Sequence, residues 1–256
     1  MNNNGLRSIK LILEYDGTDF HGFQIQPEGR TVQRVIEKGL FDLTRKPVRI
    51  RASGRTDAGV HALGQVIDFR IQSDLEIKVF QAGLNAHLPG DVRIIQAEEA
   101  DADFDARRHA VGRTYQYNLL DRPSVIHRRY AWFPGILKQT DLMKEASRLL
   151  IGRHDFTSFC KASGEDEYMS NIYSIKWINL NGITQFQITA MRFFHNMVRI
   201  ILGTLLEVGK ARMTYDCFKS ILQSKSRIAA GPTIPPQGLF LANVHYTEAS
   251  IEPYKI

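Results

Sequence analysis

Apolar and polar residues alternate at the start of the chain. Ile9, Leu11, Leu13 and Tyr15 fall on one face, with Lys10, Ile12 and Glu14 between them. A period of two predicts a half-buried strand, and Asp16-Gly17 ends it with turn chemistry. From Thr31 to Lys46 the period lengthens. Val32, Val35, Ile36, Leu40 and Leu43 recur at helical spacing and predict an amphipathic helix. Strands are predicted at 48–52 and 66–71, a helix at 77–88 closed by Pro89-Gly90, and a short strand at 92–97.

The second half repeats this grammar. Residues 111–120 read as a strand with Tyr115, Tyr117 and Leu119 on one face. Thr140 is placed to cap a helix running to 151, closed by Gly152. Strands 172–180 and 183–191 are joined through Asn181-Gly182, a strong hairpin signal. A long apolar helix is expected over 193–208, ending at Gly209, with His195 and Arg199 four apart on one face. A helix at 214–223 and a strand at 239–246 close the chain, and the Pro-rich 231–238 reads as a long loop. Strands mixed with helices, several suited to antiparallel pairing, predict the α+β class. The expected arrangement is two similar mixed halves, 1–104 and 105–256, sharing an antiparallel sheet core with flanking helices. The seam falls in the acidic stretch near 101–107, and no internal repeat is evident.

Composition changes this picture only modestly. The 256 residues are 43% apolar and 23% charged, and carry a formal net charge of +6. That balance admits a polyanionic partner without requiring one. Positive charge is clustered at Arg30, Arg34, Lys38, Arg45, Lys46, Arg49, Arg51 and Arg55, and again at Arg107, Arg108, Arg113, Arg122, Arg128 and Arg129. Such runs either track phosphates or are solvated faces balanced by local acids. The two cysteines, Cys160 and Cys217, give neither a disulfide framework nor zinc spacing, so a reducing cytoplasm is expected. The N-terminus lacks the layout of a secretory signal. The apolar run at 200–206 is too short to span a bilayer, so no membrane partner is expected.

Candidate chemistry concentrates in 51–62, where Asp57 stands between Gly54 and Ala58-Gly59, with Arg55 two residues before it. Glycines let backbone turn sharply and approach a ligand closely. Taken alone, Asp-Ala-Gly is more often a plain turn. Further blocks shift that balance. They are Tyr15-Asp16-Gly17-Thr18, Phe20-His21-Gly22-Phe23-Gln24, Thr31-Val32-Gln33, Arg113-Thr114-Tyr115-Gln116-Tyr117, Phe194-His195-Asn196-Met197-Val198-Arg199 with Gly203, and Gly231-Pro232 followed by Gly238-Leu239 and Val244. Together with Gly54-Arg55-Thr56-Asp57-Ala58-Gly59-Val60-His61-Ala62, this ordered set resembles the TruA family of tRNA pseudouridine synthases. The likeness runs from about Leu11 to Tyr246.

The resemblance implies an enzyme, an isomerase that converts uridine to pseudouridine at positions 38, 39 and 40 of the tRNA anticodon stem-loop. It implies tRNA as partner, a homodimer, no cofactor, and a catalytic cleft between the halves. Asp57 takes the family's nucleophile position. Attack on the ribose, addition to the base and a glycal route are all compatible with it. Arg199 takes the position of the charge that offsets the carboxylate. Tyr115 takes that of the tyrosine stacking on the target base, and Arg55 that of the arginine that helps extrude it. His195 is left out as a structural histidine. Asp16, Asp19 and His21 read as turn residues rather than a metal site, so no metal is expected. The glycine-rich stretch 54–64 lacks a phosphate-loop lysine. Two rival readings are a non-catalytic tRNA-binding or folding protein on the same scaffold, and a metal-dependent nuclease using Asp16, Asp19 and Asp57. The acidic stretch 161–168 departs from the family pattern and is expected either as a flap near RNA or as a solvated loop.

Overall fold

The predicted alternation at the N-terminus forms β1 (Leu6–Tyr15), with Ile9, Leu11, Leu13 and Tyr15 buried. The structure, a computed structural model, describes residues 5–162, 164 and 167–252; Ser163, Glu165 and Asp166 of the acidic stretch lie outside the described residues. The chain forms two compact units, one of residues 1–111 with 241–246, the other of 112–240 with the C-terminal residues.

In the first unit β1 is followed by α1 (Val32–Thr44), β2 (Arg51–Ala52), β3 (His61–Gln72), α2 (Ile77–His87) and β4 (Val92–Ala100). β1 lies between β3 and β4, and β2 pairs with β3, every pairing antiparallel. α1 buries Val32, Ile36 and Leu40 and ends where Arg45 turns left-handed at φ 57°. α2 buries Phe80 and Leu84. It is pinned to β4 by Asn85, whose amide donates to Ile94 O at 2.9 Å and accepts from Ile94 N at 2.8 Å. Residues 48–50, predicted as strand, keep the alternation but make no ladder, so β2 is two residues long.

β3 is the most enclosed strand. Gln65, Ile67 and Asp68 are fully buried, and Val66 and Phe69 nearly so. A buried carboxylate needs a partner. Asp68 accepts from the Arg51 guanidinium and, at 2.8 Å, from Ala106 N. Arg51 also donates to Phe104 O at 2.8 Å and meets Asp105 at 3.2 Å. The buried charge therefore anchors residues 104–106.

The second unit contains β5 (Gly112–Leu120), α3 (Thr140–Arg148), β6 (Gly152–Asp155), β7 (Met169–Leu180) and β8 (Ile183–Ala190). Its strand order is β5-β8-β7-β6, again antiparallel. The β7–β8 turn has Asn181 at φ 41° and Gly182 at φ 87°. Both are left-handed, as the tight hairpin turn with the twist of its strands requires. α4 (Met197–Gly209) is buried on nearly every side, as a sequence apolar but for Arg199, Thr204 and Glu207 demands. It starts later than the predicted 193, because Asn196 is left-handed at φ 60° and interrupts the helix. His195 thus precedes α4 and is exposed, and shares no helical face with Arg199. α5 (Tyr215–Ser224) is capped by Thr214, whose hydroxyl accepts from Cys217 N at 3.2 Å.

β9 (Leu239–His245) and α6 (Glu248–Ile251) complete the chain. Residues 241–246 belong to the first unit, where β9 lies beside β3. There Tyr246 donates its hydroxyl to Ala106 O at 2.8 Å and packs on Phe104 at 5.2 Å, with Lys10 Nζ 4.9 Å above its ring. The α+β class and antiparallel pairing expected from the sequence are those observed. No helix among the described residues is long and apolar enough to cross a membrane.

Gly203, in the middle of α4, has a packing cause. A Cβ there would lie 1.9 Å from Pro232 O. In an exposed helix Gly→Ala stabilises by about 1 kcal/mol. Here the backbone of 231–234 would have to move, so Gly203→Ala is expected to destabilise by about 1–3 kcal/mol, read as a lower urea midpoint.

Candidate active site

The loop joining β2 to β3, residues 53–60, is held on both sides of Asp57. Before it, Thr56 O accepts from Phe23 N at 3.0 Å; after it, Gly59 N donates to Phe20 O at 3.3 Å. Val60 N closes a turn onto Asp57 O at 3.1 Å. Two glycines of the N-terminal blocks make this approach possible. A Cβ on Gly17 would lie 2.0 Å from Val60 O, and Gly22, at φ 90°, places its α-carbon where a Cβ would meet Thr56 O at 3.0 Å. The N-terminal blocks are thus the support on which the Asp57 loop rests. Asp57 itself is half-buried, while Arg55 and Ala58 are exposed.

Behind the loop lies a buried polar cluster. Tyr15 Oη and Thr56 Oγ1 are 2.7 Å apart. Gln65 Nε2 donates to Gly54 O at 3.0 Å and reaches Tyr15 Oη at 3.5 Å, and Gln65 Oε1 accepts from Ser53 Oγ at 2.7 Å. Burial pushes the Tyr15 hydroxyl up to about 12, so it remains protonated. In the sequence Tyr15 reads as a strand residue and as part of an N-terminal block of the resemblance, while Ser53 and Gln65 are given no role. The signal for Gln65 was a glutamine inside the apolar run of β3, where an amide needs partners.

Asp16 is a turn residue, its Oδ1 accepting from Thr18 N at 3.0 Å and Thr18 Oγ1 at 2.6 Å. His61 Nδ1 lies 3.0 Å from Gly17 N, which donates to it, and 3.1 Å from Asp16 Oδ1. Among the described residues no group of three or more His, Cys, Asp or Glu side chains is placed to hold a metal ion.

The first basic run is largely engaged within the protein. Arg30 makes two bonds to Asp91, at 2.5 and 2.8 Å, and lies 4.1 Å over the Phe20 ring. Arg49 pairs with Glu37 at 3.0 Å, and Lys38 with Asp42 at 2.5 Å. Arg34 donates to Gly29 O and Gln26 O. In the second run Arg107, Arg108, Arg122, Arg128 and Arg129 are all exposed.

In the second unit Tyr115, on β5, is 9% exposed and packs edge-on against Phe193 with centroids 5.0 Å apart. Arg199 sits in the first turn of α4, half-buried. Its Nε donates to Ile234 O at 2.7 Å and its Nη1 to Asn196 Oδ1 at 2.9 Å. The guanidinium is thereby fixed, and the left-handed Asn196 that precedes the helix also supplies an acceptor. The 231–238 loop is tied down along its length. Gly231 N donates to Thr204 Oγ1 at 2.9 Å, Tyr117 Oη donates to Pro235 O at 2.8 Å, and a Cβ on Gly238 would meet the Tyr117 ring at 2.5 Å. Asp57 and Arg55 thus share one loop of the first unit, and Tyr115 and Arg199 belong to the second.

A sequence profile of a family described as tRNA pseudouridine synthase matches residues 11–107 and 146–247. A protein of Bacillus subtilis named tRNA pseudouridine synthase A is 44% identical over 243 residues, which cover 93% of this chain and 98% of that one. Its namesake in Bacillus pumilus is 42% identical with the same coverage. The namesake in an Exiguobacterium species is 41% identical over 242 residues, covering 94% of this chain and 98% of that one.

Neither thiol is placed as a second nucleophile. Cys160 is 2% exposed and burial pushes it up to about 12, whereas Cys217 is exposed on α5. At pH 8 a thiol-specific disulfide reagent such as DTNB is expected to titrate one thiol in the native protein and two after denaturation. Rapid reaction of both in the folded state would contradict the burial of Cys160.

Proposed function

The chain belongs to the tRNA pseudouridine synthase family, and from that premise we propose that it isomerises uridine to pseudouridine at positions 38, 39 and 40 of the tRNA anticodon stem-loop. The observation that carries the reading is identity of 41–44% to enzymes of that name over more than nine-tenths of the chain. In the reaction the N1–C1′ bond breaks, the uracil turns, and a C5–C1′ bond forms. The proton at C5 leaves and N1 gains one, so every other atom of the product comes from the substrate. No electrons are gained or lost, and no metal or cofactor is required.

Asp57 is the nucleophile or charge stabiliser, the role a carboxylate plays in glycoside chemistry. A loop bonded on both sides of that residue supports the role, because positioning lowers the barrier when the attacking group is already in place. Arg199 offsets the carboxylate charge, and its two fixed hydrogen bonds suit a guanidinium that must keep one orientation. Tyr115 stacks on the target base. Arg55, exposed beside Asp57, helps extrude the base. The enzyme acts as a cytoplasmic homodimer.

The test is tritium release from tRNA carrying [5-³H]uridine, with excess chelator and no added cofactor. Wild type is expected to release tritium at the anticodon arm, and Asp57→Ala to release none. Arg199→Lys is expected to lose about 10²–10³-fold in rate, the scale for removing one well-placed electrostatic donor, because an ammonium lacks the planar fork. Undiminished release by Asp57→Ala would overturn the assignment. No release by folded wild type that still binds tRNA would favour a non-catalytic tRNA-binding protein.

A further inference from the structure

We propose that Tyr15, Gln65 and Thr56 form a buried hydrogen-bonded bracket that sets the position of the Asp57 carboxylate, acting as positioning residues for the reaction. The proposal rests on the role given to Asp57 above and names what holds that residue in place. It starts from burial. Tyr15 is 4% exposed, Thr56 5%, Ser53 2% and Gln65 0%. Polar side chains so deeply buried must be hydrogen-bonded within the protein, because water does not reach them.

The donors and acceptors can be assigned from the geometry. The Gln65 side-chain nitrogen can only donate. Its bonds to Gly54 O at 3.0 Å and Tyr15 Oη at 3.5 Å therefore make the Tyr15 oxygen an acceptor. Tyr15 Oη and Thr56 Oγ1, 2.7 Å apart, share a further hydrogen bond that either hydroxyl can donate. On the other side of the amide, Gln65 Oε1 accepts from Ser53 Oγ at 2.7 Å and Val66 N at 3.2 Å. One glutamine amide uses both of its N–H groups and accepts twice.

Three of the groups it organises, Ser53, Gly54 and Thr56, are the residues leading to Asp57. Thr56 is its immediate neighbour, and Thr56 O is also fixed from the front by Phe23 N at 3.0 Å. Thr56 is thus gripped by its side chain from behind and by its carbonyl from the front. Its Cα and the following peptide have little freedom left, and the Asp57 side chain grows from that peptide. Tyr15 and Gln65 stand on two long paired strands, β1 and β3, where the register shifts between Leu13 and Tyr15. Removing one buried hydroxyl should leave the sheet intact and loosen the loop.

The experiment measures Tyr15→Phe, Thr56→Val, Gln65→Met and Thr56→Ser in the full-length protein. Single-turnover and steady-state pseudouridine formation would be followed alongside amide hydrogen exchange of residues 53–60. Tyr15→Phe and Thr56→Val are expected to lower kcat at least tenfold, with KM and tRNA affinity within twofold of wild type. Exchange of the loop amides should rise at least tenfold while that of β1 and β3 stays unchanged. Thr56→Ser keeps the hydroxyl and should return both readouts to within threefold of wild type. If Gln65→Met unfolds, the two hydroxyl variants decide the matter. Unchanged kcat in Tyr15→Phe and Thr56→Val, or unchanged loop exchange in both, would overturn the proposal. So would failure of Thr56→Ser to rescue. An inactive wild type with the same exchange pattern would overturn the role given to Asp57 and leave the bracket itself supported.

Discussion

The burial of Gln65 and Asp68 on β3 is the constraint on which the first unit depends. Gln65 and Asp68 are fully enclosed and three residues apart, so they project to opposite faces of the strand. Each must find partners where the strand leaves it, since an unpaired buried polar group costs about 1–3 kcal/mol. Gln65 finds them in the loop that precedes β3, and so fixes the approach to Asp57. Asp68 finds them in Arg51 and Ala106 N, and so fixes the segment 104–106. A more apolar β3 would bury as well, yet it would leave both segments without a register. The local sequence breaks the hydrophobic run at two places, and each break holds a neighbouring segment.

Much of this fold could be read from residue patterns. β1 and the β7–β8 hairpin were legible because a clean period of two and an Asn-Gly turn are local signals. The α1 stripe was legible for the same reason. The start of α4 was not, because the apolar content of 193–196 looks helical and only the left-handed Asn196 interrupts it. Residues 48–50 have strand alternation without a neighbour to pair with, and pairing is not written in a single segment. The return of 241–246 to the first unit is equally non-local. β6 and α6 are too short for a period to show.

The site divides along the same line. Asp57 between its glycines read alone as a plain turn, and it and Arg199 were singled out by the ordered blocks of the family resemblance. Their supports were not visible. Gly17 and Gly22 look like ordinary turn residues until the loop that crosses them is seen, and their missing Cβ atoms are what admits its backbone. Asn196 has a double use that no pattern predicts. Its left-handed backbone marks the start of the helix, and its side chain receives the guanidinium of Arg199 three residues later. The same residue therefore sets where the helix begins and where its first cation points.

Charge requires the most reinterpretation, because sequence counts every cation alike. In the first basic run Arg30, Lys38, Arg49 and Arg51 each pair with a carboxylate, and Arg34 is spent on two backbone carbonyls. A cation already matched by an acid displaces few counterions from a polyanion, so it contributes little to salt-dependent binding. Arg55 is exposed on the loop that carries Asp57. In the second run Arg107 and Arg108 are exposed while their backbone N–H groups, 2.9 Å from Asp105 Oδ1, hold the turn. There the acid is engaged by backbone and by Arg51. The two basic runs look equivalent in sequence, yet the first is largely engaged in ion pairs that hold the fold together, whereas Arg107, Arg108, Arg122, Arg128 and Arg129 of the second are exposed.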